Sequence, residues 1–125
     1  MTSADEGGTP IDLEFLKDLS DDPAEVREVV GLYLQQTRER IDNLQKAMTG
    51  APLADTRADE IMRLSHTCAG SSGMYGMKDI APVFRELERL ARIGDLARAT
   101  ELVDKIKLEF KRIETFWGAY QKKSS

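Results

Sequence analysis

Apolar residues recur along the chain at steps of three and four, the spacing that gathers them on one face of an α-helix. Strict alternation of apolar and polar positions does not take over anywhere, so no strand is predicted. The first apolar set is short: Ile11, Phe15, Leu16 and Leu19. Thr9-Pro10 reads as the start of that helix, with proline at the first helical position and Asp12 in the first turn. A helix this short is not stable alone, so it is expected to lie across one end of a bundle. Ser20-Asp21-Asp22-Pro23 ends it, and Asp22-Pro23-Ala24-Glu25 opens the next helix with an N-cap acid and a glutamate at the capping-box position. Val26, Val29, Val30, Tyr33, Leu34, Ile41, Leu44 and Met48 then make a helix of about seven turns, ending near Gly50-Ala51-Pro52. Gly31 inside it is read as a close contact. A third helix runs from Leu53 to Asp55 up to about Gly76. Lys78-Asp79 is expected to cap a fourth, with Pro82 in its first turn and Ile80, Val83, Phe84, Leu87, Leu90 and Ala91 facing the core as far as Gly94. Asp95 caps a fifth, in which Leu96, Ala99, Leu102, Val103, Ile106, Phe110, Ile113 and Trp117 point inward.

The fold expected from this pattern is all-α: an antiparallel four-helix bundle with a short extra N-terminal helix, joined by short loops. Residues 1–8 read as a disordered N-terminus, 9–120 as the bundle and 121–125 as a frayed C-terminus. At 125 residues the chain fits one domain with a real core, and 41% hydrophobic against 32% charged residues is a folded rather than a disordered composition. A net charge of −4 argues against a nucleic-acid partner or an anionic membrane. The lone cysteine, Cys68, excludes an intrachain disulfide and a cysteine-based zinc site. No apolar run approaches the roughly 18 residues of a membrane span and no signal peptide precedes the acidic start, so the cytoplasm is the expected compartment; a monomer is expected because no large exposed apolar face is seen for a dimer.

The unusual stretch is the third helix from Ile61 to Tyr75. Ile61, Leu64, Cys68, Ser71 and Tyr75 fall on one stripe, expected to face inward, and the only histidine, His66, projects roughly 160° from its centre. Around it at helical spacing stand Met62, Ala69, Gly70 and Gly73, with Met74 beyond. Two glycines and two serines here weaken the helix by several tenths to about 1 kcal/mol each relative to alanine. Close helix packing accounts for the inward serines; clearance for a docking partner accounts better for Gly70 and Gly73.

Several chemistries fail on their own requirements. A bundle di-metal site needs Glu-x-x-His pairs, but Arg63 stands three residues before His66 and there is no second histidine. Cys68 lies two positions from His66, and such side chains do not face each other on a helix. Ser71 and Ser72 lack a base and a strained turn. Gly70, Gly73 and Gly76 follow no strand and precede no P-loop lysine. What remains is one exposed imidazole on a stiff helix; a lone surface histidine is by itself more often inert than functional, and the clearance around this one shifts the balance. The antiparallel fourth helix brings Arg85, Glu88, Arg89 and Arg92 opposite it: Glu88 to accept from one ring nitrogen, Arg85 or Arg92 to stabilise a phosphoryl group.

Ser65-His66-Thr67-Cys68-Ala69-Gly70-Ser71-Ser72-Gly73-Met74-Tyr75-Gly76 resembles the motif of the histidine-containing phosphotransfer (HPt) family, approximately A-H-x-L-K-G-S-S-x-x-(L/I)-G. Phe84-Arg85-Glu86-Leu87-Glu88 and Arg92-Ile93-Gly94-Asp95 are similar to its downstream stretch, and Phe15-Leu16, Leu32-Tyr33-Leu34 and Leu44 fit its first two helices. The likeness covers about residues 10 to 117. It implies a phosphorelay carrier, not an autonomous enzyme. His66 would be the phosphoacceptor, and Glu88, Arg85 and Arg92 would support the imidazole or the phosphoryl group. Met62, Ala69, Gly70, Gly73 and Met74 would form the docking surface. The implied partners are response-regulator receiver domains and a hybrid histidine kinase. No cofactor or metal is expected on this chain, and a divalent ion is expected on the receiver. Two positions depart from the family pattern: Ala69 stands where lysine is usual, and Glu88 where some members carry glutamine. The competing reading is a helical adaptor that binds receivers or kinases without carrying phosphate.

Overall fold

The computed structural model describes residues 9–49 and 54–124. The expectations of a disordered segment at 1–8 and of a helix end near Gly50-Ala51-Pro52 fall outside the described residues. Five helices are seen among the described residues: α1 (Leu13–Leu19), α2 (Pro23–Thr49), α3 (Ala54–Met74), α4 (Ala81–Arg92) and α5 (Ala99–Ser124). The four long ones contact one another in a closed cycle, α2 on α3, α3 on α4, α4 on α5 and α5 back on α2. That is the expected four-helix bundle, with α1 added against α2.

The start of α1 differs from the sequence reading. Asp12 rather than Thr9 is the N-cap, its carboxylate accepting from the Phe15 N–H at 3.1 Å, so Pro10 and Ile11 precede the helix as buried chain. The Asp12 N–H donates to the Gly76 carbonyl at 2.7 Å, which ties α1 to the end of α3. Gly76 has φ +74°, and a Cβ there would stand 3.1 Å from the Asp12 carbonyl oxygen, so this turn requires glycine.

Asp22 caps α2 as expected, accepting from the Ala24 N–H at 3.0 Å. Its own N–H donates to the Ser20 hydroxyl instead of to Glu25, so the capping box is replaced by a serine from the loop. Val30, Tyr33, Thr37, Ile41 and Leu44 are the buried face of α2. Gly31 makes no close contact: it is exposed, and a Cβ there would meet nothing within 4 Å. Asp79 does not cap α4. Its carboxylate is drawn instead toward Lys78 and toward Arg112 on α5, and the helix starts after Ile80 without a side-chain cap. All six core residues expected on this helix are buried. Gly94, at φ +77°, ends it, donating to the Ala91 carbonyl while Asp95 N–H reaches Leu90. Asp95 caps a turn at Ala97 that leads into α5, and the expected core positions from Ala99 to Trp117 are buried.

Cys68 sits at the centre, fully buried, and burial pushes its thiol up to about 12 against a small opposing pull from Arg40. The thiolate is the reactive form. Native protein should therefore react with an aromatic disulfide reagent on the order of a hundredfold more slowly than the same chain in denaturant. Equal rates would mean that the thiol reaches solvent in the folded state.

Candidate functional site

Helix α3 presents its functional side through what its other side buries. Ile61, Leu64, Ser65, Cys68, Ala69 and Ser72 are buried, whereas Ser71 and Tyr75 are only half-buried. The inward face is thus turned relative to the sequence reading, taking in Ser65, Ala69 and Ser72 where α3 packs between α2 and α4. Ala69, expected on the docking surface, is 2% exposed and belongs to the core. Of the other docking candidates, Met62 is half-buried and Gly70, Gly73 and Met74 are exposed.

The same rotation moves His66 from the back of α3 to the edge of the seam with α4. Its side chain remains 72% exposed, and Nδ1 donates to Oε2 of Glu88 at 2.8 Å. A carboxylate can only accept, so the proton resides on Nδ1 and the neutral ring carries its lone pair on Nε2. Arg92 donates to the same Oε2 at 2.5 Å. Partial burial pushes the Glu88 carboxyl up, but the hydrogen bonds and charges of His66 and Arg92 outweigh it and hold the group below the ordinary glutamate range. The carboxylate is therefore charged whenever the ring needs an acceptor.

Arg89 is turned away, paired with Glu86. Arg85 is not at the level of the imidazole: its Nη2 lies 3.1 Å from where a Cβ on Gly73 would be. A shallow depression beside the ring is lined by Asp59, Glu60, Met62, Arg63 and Thr67. Among the described residues, no group of three or more His, Cys, Asp or Glu side chains is placed to hold a metal ion.

Sequence reasoning missed the buried polar layer behind the histidine. The Tyr33 hydroxyl and Ser72 Oγ are hydrogen-bonded at 2.7 Å across the α2–α3 contact, and burial pushes the tyrosine up to about 12 although the Ser72 bond opposes it. The bond pins the two helices in register. Its trace in the sequence was the placement of Ser65 and Ser72 seven residues apart around Cys68, a face too weak in hydropathy to stand out.

A family model for the Hpt domain matches residues 28–116, from the first turns of α2 to near the end of α5. The chain belongs to the Hpt domain family. Hpt domains are histidine phosphotransfer carriers of two-component signalling, and the exposed imidazole of this Hpt domain lies inside the matched segment. Its fold is similar to the crystal structure of histidine-containing phosphotransfer protein B (HptB) from Pseudomonas aeruginosa, with a TM-score of 0.81 at 23% identity. That alignment covers 91% of this chain and 96% of the other. No curated protein matches the chain. Helix α1 precedes the family match, and no helix among the described residues is long and apolar enough to cross a membrane.

Proposed function

We propose that this Hpt domain relays phosphate between receiver domains, with His66 as the phosphoacceptor. The observation that carries the reading is the exposed ring whose Nδ1–H is fixed by Glu88, which leaves Nε2 open to solvent as a nucleophile. The Nε2 lone pair attacks the phosphorus of an aspartyl phosphate in line. The N–P bond forms as the P–O bond to the aspartate breaks, and the electron pair leaves with the receiver's carboxylate. No proton has to be lost, because Nδ1 keeps its own and the ring gains positive charge. Glu88 lies on the far side of the ring from the phosphorus, where its charge balances that gain. Its acid in place of glutamine is thus compatible with transfer. Reversal of the same step passes the phosphoryl group to a second receiver.

Phosphoryl transfer depends mainly on positioning and charge stabilisation, and a stiff helix with one open nucleophile supplies the positioning. The receiver would bring the aspartate and a divalent ion. Arg92, already at the level of the imidazole, is the guanidinium that takes the place of the lysine absent at Ala69. Met62, Gly70, Gly73 and Met74 form the contact surface around it. The protein acts as a cytoplasmic monomer in this scheme, with a hybrid kinase upstream.

The test is incubation with phosphorylated receivers from the same genome, read as acid-labile, alkali-stable label on this chain. Glu88→Ala should slow that transfer by about tenfold to a hundredfold, less than the roughly 10⁴ lost when a triad carboxylate no longer sets its histidine's tautomer. Glu88→Gln keeps an oxygen acceptor without the charge and should fall between Glu88→Ala and the wild type. Transfer by Glu88→Ala at the wild-type rate would remove Glu88 from the mechanism.

A further inference from the structure

Helix α4 carries Arg85, Arg89 and Arg92 on its exposed side, and their surroundings are unequal. Arg89 is held by Glu86 and Arg92 by Glu88. Arg85 has no hydrogen bond or ion pair among the described residues. Its acidic neighbour at helical spacing, Glu88, is already shared by His66 and Arg92. The guanidinium lies instead across α3, against the gap left by Gly73, where a Cβ would stand 3.1 Å from Nη2. Any side chain at position 73 would push it away. Gly73 is two turns beyond His66 on nearly the same side of α3, about 10 Å along the axis. Resting against Gly73, the Arg85 guanidinium lies beside the histidine rather than on it, where a partner docked over the ring would meet it.

We propose that Arg85 is a docking residue that selects among receivers by pairing with a carboxylate on the receiver surface, about 10 Å from its phosphorylated aspartate by the same helical rise. The assignment rests on the carrier reading above. A guanidinium offers a flat, weakly hydrated fork suited to a carboxylate, and one already laid against a helix loses little freedom on pairing. A receiver with a lysine or arginine at that place meets like charge instead, so the same residue attracts one class of receiver and rejects another. The contact lies at the rim of the docking surface. Its effect belongs in binding and in salt dependence, not in the rate of the bound complex.

The experiment uses the full chain, phosphorylated receivers of the same genome, and the small phosphodonor phosphoramidate as a docking-free control. With receivers that serve the wild type, R85E should raise KM by about tenfold or more, keep kcat within about twofold, and leave labelling by phosphoramidate unchanged. Exchanging the receiver's carboxylate for arginine should restore transfer to R85E. Equal KM for R85E and wild type overturns the assignment while the carrier reading stands. A fall in kcat and in phosphoramidate labelling also overturns it, by placing Arg85 in the chemistry. If no receiver transfers to or binds the wild type, the carrier reading fails and this assignment fails with it.

Discussion

His66→Gln should abolish phosphoryl acceptance and leave the fold unchanged. Glutamine approximates the length of histidine and can still hydrogen-bond to Glu88, but its amide nitrogen has no available lone pair to form an N–P bond. The loss should be complete, at least on the order of a thousandfold, because no neighbouring group replaces the nucleophile: Cys68 is buried with its thiol pushed up to about 12, and Ser72 is buried against Tyr33. The cost to stability should stay within about 0.5 kcal/mol, as for other exposed substitutions, since the side chain is 72% exposed. Thermal unfolding and labelling from a phosphorylated receiver give both numbers. Label retained on the variant would put the acceptor elsewhere. Signalling in cells that is unchanged by the substitution would favour the adaptor reading.

The parts of this molecule that the sequence made legible are those whose buried faces are large and apolar. On α4 and α5, Phe84, Leu87, Ile106 and Ile113 repeat at helical spacing and are all fully buried. On α3 the buried face is built from Ser65, Ala69 and Ser72 beside Ile61 and Cys68, and small residues give hydropathy little to register. Which small residues are covered depends on where the neighbouring helix lies, a tertiary fact that one helix's periodicity does not contain. The observed face is rotated from the expected one, and the difference matters: Ala69 lies in the core instead of on the docking surface. The Glu88 contact itself was legible, because antiparallel pairing about the Gly76 turn sets the level of the two helices. Arg85 and Arg92 fell within the same expected level. Only the geometry separates them, Arg92 to the ring's carboxylate and Arg85 to Gly73. Asp79 does not cap α4 for a related reason: an acid at a helix start has competing partners, and Arg112 on α5 attracts it.

Gly70→Leu should stabilise the protein and yet nearly stop transfer from receivers. The fold itself makes no demand for glycine at this position. Gly70 lies inside α3 without positive φ, is exposed, and a Cβ there would meet nothing within 4 Å. Glycine within a helix costs about 1 kcal/mol relative to alanine, and leucine is nearly as good a helix former as alanine, so the substitution should add up to about that much stability. Gly31, in the middle of α2, has the same open surroundings and serves as the control. Gly31→Leu should bring a similar gain with no effect on transfer. Gly70 differs in place alone, one turn beyond His66 on the exposed side, where a partner must come close to the helix backbone to reach Nε2. An isobutyl group there overfills the contact by about 1–3 kcal/mol, equivalent to roughly a tenfold to hundredfold loss of affinity for the receiver. Phosphoramidate is small enough to pass, and its labelling of His66 should be unaffected. A Gly70→Leu protein that accepts phosphate from receivers as fast as the wild type would show that partners do not approach over this turn. A Gly70→Leu protein that loses stability would show that the glycine answers to the fold after all.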